Sequence, residues 1–480
     1  MLFAAVDVGS ARVRAGLFAS DGTLLARASR GFSLIAGPSG QATHDFAEIW
    51  QGVADSLAEA RRMAGAAPSQ ISSLAFDATC SLVVDAPGFS PDVIAWHDHR
   101  AHAEAAELSQ IAHEVVTRAG GSVSPEMQTP KLMWLVRHHP EIWVNLRSVR
   151  DLCDHLAWRA TGIEARSLCA VAAKWAYLPD RGGWQDDLLI QTGIQNFPRD
   201  GQILPPGSRI GPLSERGAAE LGLDRETLVA AGLIDAFAGA LGAAPGMPTL
   251  IAGTSNCVMA RNISPGRGIW GPYPGAIMPG EQVSEAGQSA TGALLETIRQ
   301  LYPEPQTHDA ILARIGTAPD HDEKLHLLPD FKGSRTPFAD PLIRGVAHGL
   351  SLDRNPRSLD RLYWRAAVGI ALGTRQVIRH MGLAPERLAM AGGQARSALM
   401  RQTYADTTGA EIHWQSEDAV LRGSAIAAAA PLIGGIQAAR AAFARPLTVT
   451  TPNPAQSARR ERDWHIFLRM QQHREEIARM

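Results

Sequence analysis

An apolar run at residues 3–8, a turn at Asp7-Val8-Gly9-Ser10 and a second apolar run at 13–19 open the chain. Two adjacent apolar runs joined by a tight small-residue turn predict a β-hairpin, and Asp21-Gly22 then turns the chain back again. The pattern returns later as an apolar run at 249–252, the turn Gly253-Thr254-Ser255 and an apolar run at 257–260. A hairpin opening each half predicts a duplicated fold, and 480 residues leave room for two domains. The boundary falls near residues 243–248, where Gly and Pro interrupt the pattern.

Helices are expected between the strands. Asp45 with Glu48 three residues on reads as a capping box, and Ile49, Val53 and Leu57 recur on one helical face. Residues 71–76 predict a short buried strand ending at Asp77-Ala78-Thr79-Cys80-Ser81. Residues 101–119 have a helical period that stops at Gly120-Gly121. Strands alternating with helices indicate an α/β fold. Residues 180–210 lack periodicity and are rich in Gly, Pro and polar residues, which predicts a long surface excursion.

Composition excludes several classes. Hydrophobic residues at 45% and charged residues at 20% are those of a globular chain, not a disordered one. Lys+Arg total 46 against 48 Asp+Glu, so there is no basic excess for nucleic acid. Cys80, Cys153, Cys169 and Cys257 form no C-x-x-C pair, which argues against a disulfide framework and a cysteine zinc site. Asp7 interrupts the N-terminal apolar run, against a signal peptide, and no apolar run reaches the roughly 18 residues of a membrane span. The expectation is a cytoplasmic protein with no membrane partner.

Some residues can carry chemistry. The turns at Gly9-Ser10 and Gly253-Thr254-Ser255 present backbone N–H groups and hydroxyls that can approach phosphate oxygens. Gly392-Gly393-Gln394-Ala395-Arg396 follows the apolar run 388–391, a strand-to-helix junction against which a nucleotide can lie. Asp235 closes the apolar run 230–234 and opens the small-residue stretch 236–244. A carboxylate there can cap a helix or accept a hydroxyl proton, and the helix start predicts that it stays ionised. Gly266-Arg267-Gly268-Ile269-Trp270-Gly271 is discounted as a dinucleotide loop because Pro272 follows at once. His97-Asp98-His99 has no third ligand in view, and the motifs of P-loop NTPases and protein kinases are missing.

Together these segments resemble the FGGY carbohydrate kinases along nearly the whole chain. The resemblance runs through Asp7-Val8-Gly9-Ser10 to Arg14, Trp96-His97-Asp98-His99-Arg100, Pro130-Lys131-Leu132-Met133-Trp134-Leu135 and Gly232-Leu233-Ile234-Asp235-Ala236. It continues through Gly253-Thr254-Ser255, Glu285-Ala286-Gly287-Gln288-Ser289-Ala290, residues 345–350, Ala391-Gly392-Gly393-Gln394-Ala395-Arg396-Ser397 and Ala405-Asp406-Thr407-Thr408-Gly409. It implies the actin-like ATPase fold, two ribonuclease-H-like α/β domains around a central cleft. The implied domains are 1–246, binding sugar, and 247–480, binding nucleotide. Asp77-Ala78-Thr79-Cys80-Ser81-Leu82 and Glu285-Ala286-Gly287-Gln288-Ser289 look most like the ribulokinase branch, D-ribulose kinases in particular.

The implied activity is ATP- and Mg²⁺-dependent phosphorylation of a ketopentose, D-ribulose first. L-ribulose, xylulose or a pentitol is the alternative acceptor, and an ATP-gated interaction protein on the same fold is a second alternative. By similarity Asp235 is the catalytic base, and Lys174 and Glu285 hold sugar oxygens. Thr79, Cys80, Asp98 and Arg100 line the sugar pocket. Gly9, Ser10, Arg14, Gly253, Thr254, Ser255, Gly392, Gly393, Gln394 and Arg396 attend the nucleotide, with Asp7 an outer-shell Mg²⁺ anchor. A homodimer is compatible with the sequence. The family's first phosphate loop usually reads Asp-x-Gly-Thr-small-Ser-x-Arg. Here Arg12 replaces the small hydroxyl residue, and Gln394 stands where a third glycine is usual.

Overall fold

The computed structural model describes residues 1–316, 324–352, 356–415 and 418–480. β1 (Leu2–Val8) returns antiparallel as β2 (Arg12–Ala19), and β3 (Leu24–Gly31) pairs with β2. The expected opening hairpin is therefore present, its turn closed by Gly9 N–H donating to the Arg12 carbonyl at 3.0 Å. The helix Phe46–Met63 buries Ile49, Val53 and Leu57 on one face. Asp45 caps it by accepting from Ala47 N–H at 2.7 Å. Glu48 does not complete the capping box, because its carboxylate accepts from the Ser33 N–H and hydroxyl instead.

β4 (Ile71–Ala78) lies parallel to β1 and runs two residues past the expected end. Pairing on both sides carries the ladder through Asp77 and Ala78, so Asp77 is a sheet residue. The helix expected over 101–119 is two helices, His102–Leu108 and Glu114–Arg118. Ser109 interrupts it by bonding its hydroxyl to the Ala105 carbonyl, and the His113 imidazole starts the second helix by accepting from Val115 N–H at 3.1 Å. Short side chains and imidazoles that bond nearby backbone compete with a continuous helix in this way.

α1 (Leu152–Thr161) and α2 (Leu168–Lys174) follow. The stretch 180–210 is more than a surface excursion: it contains the helix Asp186–Gln191 and buries Leu188, Leu189, Ile194 and Phe197. Trp175, Trp184 and Phe197 pack there with ring centroids 5.4–6.0 Å apart, an aromatic cluster that needs no helical or strand period. β5 (Arg209–Pro212) then pairs antiparallel with β6 (Leu228–Ile234), which lies parallel to β4. The sheet order is β5-β6-β4-β1-β2-β3. α3 (Asp235–Gly242) starts where β6 stops.

The second half repeats the plan. β7 (Thr249–Ala252) and β8 (Asn256–Arg261) form the second expected hairpin. β9 (Gln282–Gln288) adds beside β8, and β10 (Arg387–Ala391) lies parallel to β7 as β4 does to β1. After α4 (Ala398–Thr408) comes β11 (Glu411–Trp414), then α5 (Ala419–Ala429) and β12 (Thr448–Thr450). Leu250, Val258, Met390 and Ile412 belong to this sheet's core, with Tyr363 and Tyr404.

The chain divides into two compact units. The first takes Met1–Gly242, Gly271–Val283 and Glu417–Arg445, and the second takes Ala243–Trp270, Ser284–Ser416 and Pro446–Met480. α5 thus belongs with the first sheet. Among the described residues no helix is long and apolar enough to cross a membrane.

α5 packs on α3 at a distance only glycine permits. A Cβ on Gly423 would stand 1.8 Å from the Ala238 carbonyl oxygen, and one on Gly242 would stand 2.0 Å from that of Ala419. The obstacle is backbone, so a methyl group forces the helices apart. Gly423→Ala is expected to destabilise the chain by at least the roughly 1–3 kcal/mol typical of overpacking. Thermal unfolding checks this; an unchanged melting temperature would mean the helices have slack.

Candidate active site

The register of the first sheet builds the site. Asp7 on β1 stands directly opposite Arg14 on β2 and Asp77 on β4. Residues opposite one another project from the same face, so three charged side chains form a row across three strands. Arg14 bonds Asp7 through Nε and Nη2, and its Nη1 reaches Asp418 Oδ2 at 2.5 Å. Asp418 is the N-cap of α5, and Ser424 one turn further along donates its hydroxyl to Asp77. Burial raises both carboxylates above the ordinary range, and the neighbouring Asp7 pushes Asp77 well above it.

Asp235 enters at the end of β6, whose Leu233 pairs with Asp77. Its Oδ1 accepts from Ala236 N–H at 2.7 Å. Burial, then Asp7, pushes its pKa up to about 6; the Ala236 N–H, Arg14 and Lys174 oppose the rise. The helix start therefore does not hold the pKa down, although a carboxyl near 6 is still mostly ionised at neutral pH. Loss of water and a nearby carboxylate outweigh it.

Lys174 is the last residue of α2 and is buried. Cys80 shares its surroundings: burial raises the thiol to about 11, against the pull of Lys174 and Lys131. Asp235, Lys174 and Cys80 thus share one electrostatic neighbourhood. Thr79 sits beside them in sequence, anchored by its N–H to the Val8 carbonyl at 2.9 Å and by its hydroxyl to that of Ser81. Asp98 is buried and its oxygens are spent on Arg100 Nε and Nη2 and on Ala42 N–H, at 2.9, 2.8 and 2.6 Å. Arg100 in turn lies 4.9 Å over the Trp134 ring. Glu285 belongs to the second unit, on β9, where Cys257 Sγ stands 3.3 Å from its Oε2.

The second unit brings the remaining small-residue turns together. Gly392 has φ +95°, and a Cβ there would meet the Ala252 carbonyl oxygen at 2.5 Å, while the space beside Gly393 is open. Gln394, in place of a third glycine, donates to the Gly253 carbonyl at 3.1 Å and to the Thr291 hydroxyl at 3.2 Å. Tyr404 fixes its other end at 2.9 Å. Gln394 therefore ties the Gly253-Thr254-Ser255 hairpin to the Gly392-Gly393 junction. Thr254 and Arg396 remain exposed at the rim. An exposed, glycine-lined backbone of this kind fits a phosphate-bearing nucleotide.

The first hairpin differs. Ser10 Oγ accepts from Trp96 Nε1 at 2.9 Å, and Arg14 is spent on two carboxylates. Asp7 is fully buried, so in this arrangement it offers a hydrated cation no exposed oxygen. Among the described residues no group of three or more His, Cys, Asp or Glu side chains is placed to hold a metal ion. Sequence reasoning did not single out Asp418 or Ser424. They reach Arg14 and Asp77 across separations of 404 and 347 residues, which no local pattern reveals.

Residues 2–242 match the N-terminal domain, and residues 249–432 the C-terminal domain, of the FGGY family of carbohydrate kinases. An FGGY carbohydrate kinase domain-containing protein of Danio rerio is 34% identical over 99% of this chain and 98% of its own. A D-ribulokinase of Saccharomyces cerevisiae is 30% identical over 89% of this chain and 71% of its own. In fold, the chain resembles a xylulose kinase from Rhodospirillum rubrum, with TM-score 0.81 at 23% identity and all of both chains covered. The chain belongs to the FGGY family of carbohydrate kinases. It is an ATP-dependent sugar phosphotransferase with the actin-like ATPase fold.

Arg12 is exposed, and its carbonyl, not its side chain, closes the first turn. Arg12→Ser keeps that carbonyl and is expected to leave kcat and the KM for ATP at parental values in an ADP-release assay. A large loss of kcat would assign the guanidinium to a phosphate.

Proposed function

We propose that this kinase phosphorylates a hydroxyl of a ketopentose, D-ribulose in preference to L-ribulose, xylulose or a pentitol, with Asp235 as the base. The observation that carries this reading is a carboxylate with a pKa raised to about 6 in the neighbourhood of a buried lysine, Lys174. Such a carboxylate is ionised at neutral pH and is a better proton acceptor than an ordinary one. The substrate preference draws support from the D-ribulokinase relative and from the ribulokinase-like run Asp77-Ala78-Thr79-Cys80-Ser81-Leu82.

In this reading Lys174, with Glu285 of the second unit, holds sugar oxygens. Asp235 accepts the proton of the reacting hydroxyl as that oxygen bonds to the γ-phosphorus and the bond to the β-phosphate oxygen breaks. Gly253-Thr254-Ser255 and Gly392-Gly393 carry the nucleotide through backbone N–H groups. Mg²⁺, if bound, would be held mainly by phosphate oxygens and water and would supply positive charge to the transferring group, with no side chain of this chain assigned to hold it. Asp7 acts on this chemistry from within the sheet, by setting the field at Asp235.

ADP release across ketopentoses, pentitols, glycerol and hexoses tests the assignment, with D-ribulose expected to give the highest kcat/KM. Preference for glycerol or a hexose would contradict it. Asp235→Asn is expected to lower kcat by about 10²–10⁴-fold. The parent's kcat/KM for the sugar should fall as pH drops through about 6, where Asp235 takes up its proton.

Stability provides a second readout of the same group. The unfolded carboxylate ionises near pH 4 and the folded one near 6, so stability falls as pH rises through that window and stays lower above it. Asn bears no charge and caps a helix about as well as Asp. Asp235→Asn should therefore melt no lower than the parent at pH 8, and above it if the charge is as costly as the raised pKa implies. Parental kcat in this variant would put the base elsewhere, and unfolding would assign Asp235 to the helix cap.

A further inference from the structure

Asp151 ends the short strand Ser148–Asp151 and occupies the N-cap of α1, yet its carboxylate does not cap that helix. It is 1% exposed, and both oxygens are used elsewhere. Oδ1 accepts from Gln128 Nε2 at 2.8 Å, and Oδ2 accepts from Trp175 Nε1. The same Gln128 nitrogen donates to the Cys80 carbonyl at 3.0 Å. Trp175 is the C-cap of α2 and directly follows Lys174. One buried carboxylate thus joins two separate segments, each adjoining a residue of the proposed sugar site. Arg166 lies 5.4 Å over the same indole, and Phe197 stacks on it at 5.6 Å, so the ring has little freedom once its N–H is held.

We infer that Asp151 is a positioning residue for the sugar acceptor: through Trp175 it fixes Lys174, and through Gln128 it fixes the Cys80 loop, so that it sets the spacing between them. The inference rests on the reading of Lys174 as a sugar ligand. Helix capping does not account for this carboxylate, because it makes no cap bond. A small displacement of a ligand-holding group costs binding far more than it costs folding. Removing the clamp should therefore show in the acceptor KM and not in the KM for ATP.

The test compares Asp151→Ala, Trp175→Phe, their double variant and Asp151→Asn, with Lys174→Met as control, using the acceptor that the parent phosphorylates best. Trp175→Phe is expected to raise the acceptor KM by roughly tenfold, the size of one lost buried hydrogen bond, and Asp151→Ala, which loses the bonds to both Trp175 and Gln128, by at least as much, with the KM for ATP parental in both. Because Asp151→Ala already breaks the Trp175 bond, the double variant should be no worse than Asp151→Ala. Asp151→Asn keeps an oxygen for the indole N–H but sets its NH2 against Gln128 Nε2, so it should recover the part of the loss that belongs to Trp175. Lys174→Met should raise the acceptor KM at least as much. Parental acceptor KM in Asp151→Ala and Trp175→Phe, with Lys174→Met impaired, overturns the inference alone. Parental KM in Lys174→Met overturns the sugar-site reading and the inference with it. If Asp151→Ala does not fold, Trp175→Phe, which removes the donor, keeps an aromatic ring and leaves Asp151 in place, decides the matter.

Discussion

The guanidinium of Arg14 is the interaction on which the first unit's chemistry depends. It bonds Asp7 on the neighbouring strand and Asp418 at the head of α5, next to two more carboxylates, Asp77 and Asp235. Two like charges 4 Å apart repel by about 4 kcal/mol at an effective dielectric of 20. Arg14 neutralises part of the cluster, its own proton held more tightly by the surrounding carboxylates, while burial and Asp7 push the Asp77 carboxyl well above its ordinary range. What remains falls on Asp235, which ends near 6 instead of far above neutrality. A carboxylate that ionises close to physiological pH is thus a property of the whole cluster.

The same arrangement explains why the first unit is completed by a late segment. The chain leaves this unit at Gly242, returns over Gly271–Val283 and comes back a second time with α5. That helix brings Asp418 to Arg14, Ser424 to Asp77, and Gly423 into backbone contact with α3, the helix that begins with Asp235. Ser73 on β4 donates to the Ala428 carbonyl at 2.5 Å, which holds the far end of α5 to the sheet. Charge neutralisation and close packing therefore come from one helix, and the position of Asp235 depends on both.

Much of this was legible in the sequence wherever the signal is local. The two hairpins, the strand-to-helix step at Asp235 and the Gly392-Gly393 junction are each written within a few residues, and each stands where expected. The break at Ser109 and His113 was hidden because apolar periodicity does not register side chains that bond backbone. The strand was expected to stop before Asp77 because an acid after an apolar run usually ends a strand; pairing on both sides keeps it in the sheet. Asp151 was not singled out in the sequence, because its partners lie 23 and 24 residues away in the chain. The raised pKa of Asp235 is a property of burial and of Asp7, neither of which a helix-start argument contains.

The most direct measurement is a structure of the protein with D-ribulose bound beside a non-hydrolysable ATP analogue. The account predicts one sugar hydroxyl at about 2.6–3.2 Å from an Asp235 carboxylate oxygen, the reach of a general base. It also predicts Lys174 Nζ on another sugar oxygen. A sugar bound with no hydroxyl facing Asp235, or bound away from Lys174, would contradict it.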